Sequence, residues 1–408
     1  MQKFLPFIIL CLLAPAIYGQ KVEVEIPGAM QGMYIPVSMS LNGVKTKSAT
    51  ELRLSEQRDG KSYPVPFQVE KERSLIHWIV APLEKHVTKR IFSLQKGNAL
   101  PDTGTVKATR NDGGLTIQSG SQNLLRYQFE KVYPPKGVDS SFARGAFIHP
   151  LWTPHGQVLT RIQPPDHYHH YGIWNPWTHV LYKNDTVDFW NIGNKTGTVR
   201  FAGFNTALQG PVLSGFDAKH EHVVFKKGGG EEVALNEVQS VRVYHPDPKA
   251  DFYIVDIDIL LQCATSNPVL LLEYRYGGLG WRTTEQWDRN NSEVLTSEGK
   301  TRKDADGSKA TWCIVQGKLD NDYGGVVMMS NPANYNHPEP LRIWPENQYD
   351  RGDMFANFSP TKDKNWLLEP GKKYVLKYRL LVFNGRFTKE KADAAWQQYA
   401  NPPKLTRQ

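Results

Sequence analysis

Cysteine is scarce in this chain. It holds 3 in 408 residues, and Cys11 falls in an apolar leader-like stretch, so only Cys263 and Cys313 remain for the folded part. A disulfide scaffold is excluded: at most one bridge is expected, and two buried free thiols fit equally well. After the N-terminus no apolar run is long enough for a transmembrane helix. Short repeats and low-complexity tracts are missing, and no strongly amphipathic helix appears before the C-terminal end. The formal charge of +8 is spread along the chain with no basic arm, stripe or known binding motif, so nucleic acid is not an expected partner. There is no G-x-S-x-G elbow, no catalytic-cysteine context and no phosphate-cradling glycine loop between a strand and a helix.

What is present begins with Lys3, an apolar run Phe4–Tyr18 and small residues Ala14, Ala16 and Gly19. That layout predicts a cleavable export signal over residues 1–19, a mature chain starting near Gln20 and a periplasmic or secreted destination. Leu10 is too bulky for lipoprotein cleavage before Cys11. Loss of Lys3, with no acid in the leader, takes the charge from +8 to +7. Ordinary solubility explains such a charge; attraction to an anionic substrate is the sharper reading.

Strand-like runs recur: 21–26, 34–40, 75–80, 199–204, 241–244, 252–261, 269–276, 311–315, 325–329 and 374–383. Several alternate apolar and polar residues, as half-buried strands do. Residues 251–261 (D-F-Y-I-V-D-I-D-I-L-L) read as a long strand with acids on one face. Residues 389–399 predict a short helix that packs Trp396 on a sheet. The Pro- and Gly-bearing segment 97–105 is the best linker. The expected fold is all-β, with a small N-terminal β-sandwich over 20–100 and a large sandwich over 101–408.

Chemistry concentrates in residues 149–177, H-P-L-W-T-P-H-G-Q-V-L-T-R-I-Q-P-P-D-H-Y-H-H-Y-G-I-W-N-P-W, which carry five of the 12 histidines. These are His149, His155, His167, His169 and His170, set among Arg161, Asp166, Tyr168, Tyr171, Trp152, Trp174 and Trp177. Pro and Gly predict loop, the usual seat of binding groups on a β scaffold. Three readings compete. His167, His169 and His170 suit a metal, but no second cluster of thiolates or spaced carboxylates completes a ligand set. Imidazole, phenol and guanidinium together suit acid–base catalysis near neutral pH, and this reading is favoured. Packed His and Trp holding a loop is the structural alternative. No metal or cofactor is expected.

The segment D-H-Y-H-H-Y-G-I-W (166–174) resembles D-H-x-H-H-R-G-[LI]-W, the signature of an exported bacterial family labelled PmoA-like or "methane oxygenase", of DUF6807 type. G-G-L-G-W-R (277–282), Trp312–Cys313, Gly324–Gly325 and N-P-A-N-Y-N-H-P (331–338) match as well. The resemblance implies a galactose-mutarotase-like supersandwich and a role in polysaccharide utilisation. One activity it implies is removal of water from the terminal uronic acid of an acidic oligosaccharide, sulfated ulvan-like ones included, leaving a 4,5-unsaturated sugar. For that elimination His167, His170, Tyr168 and Tyr171 supply acid–base groups and Arg161 or Arg282 the cation beside the enolate-like intermediate. Trp152, Trp174 and Trp177 supply stacking surfaces, with His149, Asp166, His169 and His337 as further binding candidates. Tyr171 stands where the family pattern has arginine. A glycoside hydrolase using acids such as Glu273, Glu285 or Glu298 is the second class, and a non-catalytic sugar-binding module the third. Oligomeric state is not legible.

Overall fold

A computed structural model describes residues 19–27, 33–44, 49–82, 87–97, 104–246 and 250–408. The expected leader, Cys11 included, and most of the expected linker lie outside these residues. The chain is all-β, with antiparallel sheets throughout and one longer helix near the C-terminus. Among the described residues no helix is long and apolar enough to cross a membrane.

The N-terminal part is a sandwich of a five-stranded and a three-stranded sheet. Alternation makes it: Val22 and Val24, Ile35 and Val37, and Leu52 and Leu54 each sit two apart on one strand and bury the same face around Trp78 and Phe92. One strand of the five was not anticipated. Lys404–Arg407 pairs antiparallel with Gln20–Glu25, so the end of the chain, which the sequence places in the second domain, forms the edge of the first sheet. Arg73–Asp217 at 2.9 Å and Arg242–Glu70 at 3.2 Å tie this sandwich to the larger body.

The larger body is built on a nine-stranded and an eight-stranded sheet that share one core. Residues 252–261 behave as read: Val255, Ile257, Ile259 and Leu261 face that core, while Asp256 points outward to Arg379 on the neighbouring strand, 2.6 Å away. The helix Lys389–Ala400, capped by Thr388, covers the outer face of the eight-stranded sheet with Ala392, Ala395 and Trp396. Cys263 and Cys313 are free thiols.

The nine-stranded sheet positions the site. Its centre runs Phe147–Leu151, Ile173–Trp174, Gly280–Arg282, Phe355–Phe358. Successive side chains face opposite ways. Ile148, Ile173, Trp281 and Ala356 enter the shared core, so Phe147, Trp174, Arg282 and Phe355 emerge together on the other face.

Candidate active site

On that outer face Phe147, Tyr171, Trp174, Trp190, Trp344 and Phe355 form a separate apolar cluster. The His loop lies over it. His170 is sunk into the aromatics, with ring centroids 5.2 Å from Phe355, 5.3 Å from Trp174 and 5.5 Å from Trp344. His167 and His169 stand above, 4.7 and 4.8 Å from the His170 ring. Together with Tyr349, Tyr274, Arg275, Tyr276, His179 and Trp190 the three histidines line a cleft of about 290 Å³.

Beneath the cleft is a charge hub. Asp353 Oδ2 accepts from Arg282 at 2.6 Å and from Arg161 at 3.4 Å, and its Oδ1 accepts from Arg351 at 2.8 Å. Arg282 also reaches Asp166 at 3.1 Å and lies 4.7 Å over the Trp344 ring. From Asp166 a chain of contacts leads outward: Oδ2 is 2.8 Å from His167 Nδ1, and His167 Nε2 is 3.1 Å from the Tyr349 hydroxyl. Tyr349 is 45% exposed, so the chain ends in solvent at the cleft mouth. Tyr349 and Asp350 hold left-handed φ of 49° and 38°, a costly conformation for non-glycine residues. Gly352, at φ 71°, closes the same turn where a Cβ would meet the Glu346 carbonyl at 2.5 Å.

Electrostatics sort these groups. Burial penalises the Asp166 carboxylate, but the His167 hydrogen bond and the Arg282 charge outweigh it and hold it well below the usual carboxylate range. Burial, then His167, pushes His169 down to about 4; burial, then His169 and Arg282, pushes His170 well below the imidazole range. Both are neutral rings at neutral pH.

The structure separates the candidates read from sequence. His167, His169 and His170 line the cleft, and Asp166 and Arg282 sit directly behind them. Arg282 is 1% exposed and committed to two carboxylates, so it organises the site from below. Arg161 is half-buried between Glu285 and Asp353. Tyr168 packs on Phe142 at 5.8 Å. Tyr171 is fully buried, its hydroxyl donating to the Phe142 carbonyl, and the Arg144 guanidinium lies 5.5 Å over its ring. His149 bonds to Thr160 at 2.9 Å, and burial lowers it to about 4. Trp174 is an apolar floor, whereas Trp177 turns into the core against Trp366 at 5.9 Å. Trp152 pairs with Val158 outside the cleft, and His155 bonds to Asp322 at 2.6 Å. His337 contacts Ser330 beside the buried Glu339 and lies elsewhere.

Three contributors escaped the sequence reading. Tyr349 and Trp190 carry no local signal, because strand pairing brings them in from afar. Arg275 had one: it sits between two tyrosines just before G-G-L-G. It is exposed, 5.4 Å over the Tyr276 ring, and makes no ion pair among the described residues. Asp188 is the one carboxylate residue among the described residues lining the cleft, and it caps the backbone amides of Trp190 and Asn191 at 2.8 Å.

The donor atoms of His167, His169 and His170 lie within 4.8 Å of one another. Zinc bonds of about 2.1 Å hold tetrahedral donors roughly 3.4 Å apart, so the rings would have to draw inward around an ion. His167 has both nitrogens engaged, while His170 Nδ1 is buried without a partner. The set fits a metal only in part.

A comparison with curated proteins finds no match. A family model matches residues 114–397, which take in the eight-stranded sheet, all but one strand of the nine-stranded sheet, the His loop and the Tyr349 turn: the chain belongs to a family of unknown function, DUF6807.

Proposed function

We propose that the cleft eliminates water from the terminal uronic acid of an acidic oligosaccharide, giving a 4,5-unsaturated sugar. The observation that carries this reading is the Asp166–His167–Tyr349 chain, a carboxylate, an imidazole and an accessible phenol in line at 2.8 and 3.1 Å. Asp166 orients the ring and stabilises its cationic form. Tyr349 takes the proton from the carbon next to the sugar carboxylate as its own passes to His167 Nε2. The carbon–oxygen bond at position 4 then breaks, and the proton stored on the pair returns to the departing hydroxyl, so water forms with no net proton exchange. Arg275, with no ion pair among the described residues and flanked by Tyr274 and Tyr276, pairs with the sugar carboxylate and offsets the charge that develops as the carbon is deprotonated. Neutral His169 supplies a hydrogen bond to the ring hydroxyls.

Hydrolysis by two carboxylates finds less support, because Asp188 is tied to backbone amides and Glu273, Glu285 and Glu298 lie outside the cleft lining. Product analysis tests the reading. Elimination creates ultraviolet absorbance without shortening the oligosaccharide. Release of reducing ends without absorbance would establish hydrolysis, and binding without either product would leave a sugar-binding module.

A further inference from the structure

Across the short turn Ile192–Asn194 from the His cleft lies a second, larger cleft of about 730 Å³. Asn191 and Asn194 line the first, Ile192 and Lys195 the second. Arg144 lines the second cleft although it is only 2% exposed. Its guanidinium donates to the Phe189 carbonyl at 3.2 Å, its Nε is buried with no partner, and it makes no ion pair among the described residues. Glu237, whose field it feels, already accepts from His220, His222 and Asn175. A buried cation with no carboxylate in direct contact is costly, and a ligand anion would offset that cost. A second polar group lies beside it: the buried Ser141 hydroxyl lines the same cleft, next to the Asp139 carboxylate. Phe129 and Phe201 form the apolar wall, beside Glu130 and an Arg200–Glu231 ion pair, with Tyr133 exposed to 68% at the rim.

We infer that this cleft binds an oxyanion substituent, carboxylate or sulfate, on the sugar unit next to the one that reacts, with Arg144 and Ser141 holding the anion and Tyr133 stacking on the ring. The anion site stands on its own geometry; its assignment to the neighbouring sugar rests on the elimination reading.

The test uses the full chain titrated with sodium sulfate and with sodium glucuronate, against sodium chloride of equal ionic strength. Calorimetry and melting temperature are the readouts. Saturable binding is expected, and the probe that saturates at lower concentration identifies the substituent. Arg144→Met should weaken it by at least about tenfold, the worth of a charge-assisted contact. Tyr133→Ala should leave inorganic sulfate binding unchanged but weaken an acidic disaccharide. Should Arg144→Met fail to fold, Arg144→Lys and Ser141→Ala read the same contact, with a loss of about threefold or more expected. No saturable binding of either anion, or wild-type affinity in whichever of these variants fold, overturns the assignment. Tyr349→Phe should keep anion binding, which separates the two ideas. Arg144-dependent binding without elimination leaves this site standing and removes the lyase, and elimination with Arg144-independent binding does the reverse.

Discussion

At the scale of single residues, two tyrosines of the same neighbourhood have different duties. Tyr349 ends the Asp166–His167 hydrogen-bonded chain in solvent; Tyr171 is sealed beneath the loop with its hydroxyl on a carbonyl. Tyr349→Phe and His167→Ala are therefore expected to cut turnover by roughly two to four orders of magnitude with melting little changed. Tyr171→Phe should cost about 1 kcal/mol of stability and leave turnover per folded molecule near normal. Near-normal turnover in Tyr349→Phe would remove the chain from the chemistry. Sequence alone could not rank these two, because burial, which decides the matter, depends on strands far away in the chain. Glu339 offers a test of a different kind. Burial pushes its carboxyl up to about 7, against hydrogen bonds from Ser330, Asn334 and Tyr378. The folded state thus holds this proton at pH values where the unfolded chain has lost it, and stability falls as pH rises from about 4.5 to above 7. Glu339→Gln lacks that loss. Its stability relative to wild type should improve between pH 5 and pH 8, by up to about 3 kcal/mol, and a gap that stays constant with pH would show that the carboxyl is ionised throughout.

At the scale of elements, alternation made most strands legible, and the exceptions have physical reasons. The sequence marks only 241–244 as a strand, yet it runs Glu231–Tyr244, because the buried Glu237 looks like surface until His220 and His222 are seen bonded to it. The pattern of 269–276 predicts one strand, yet the strand stops at Leu271. The chain then bends toward the Gly277–Gly278 turn and carries Tyr274, Arg275 and Tyr276 into the cleft. The His loop was legible because its chemistry is contiguous; the Tyr349 turn was not, since it arrives through the pairing of Phe355–Phe358 with Gly280–Arg282. Two expectations belong here. Exhaustive chelation should leave turnover unchanged if the loop works by proton transfer, whereas loss restored by zinc would recast His167, His169 and His170 as ligands. Removing residues 404–408 should expose the edge of Gln20–Glu25 and lower the melting temperature, by roughly 1–3 kcal/mol of stability, through the small sandwich rather than the site. Loss of turnover at unchanged melting would contradict that division of labour.

At the scale of the whole molecule, the proposed acidic substrate would meet a chain of net charge +8, with Arg275 at one cleft and Arg144 at the other. Affinity for acidic oligosaccharides should fall as salt rises, and methyl-esterified or neutral ones should bind poorly at any salt. Equal affinity for neutral glucans, measured by calorimetry, would sink the uronate reading. The strand Lys404–Arg407 has a further consequence. The sheet that opens with Gln20–Glu25 is completed only by Lys404–Arg407, and the Gln408 amide donates to the Lys21 carbonyl at 2.9 Å. The small sandwich therefore stays short of one edge until the large body between these two strands has been made. That pairing closes a loop holding the whole of the large body, and contacts of such wide sequence separation are slow to form.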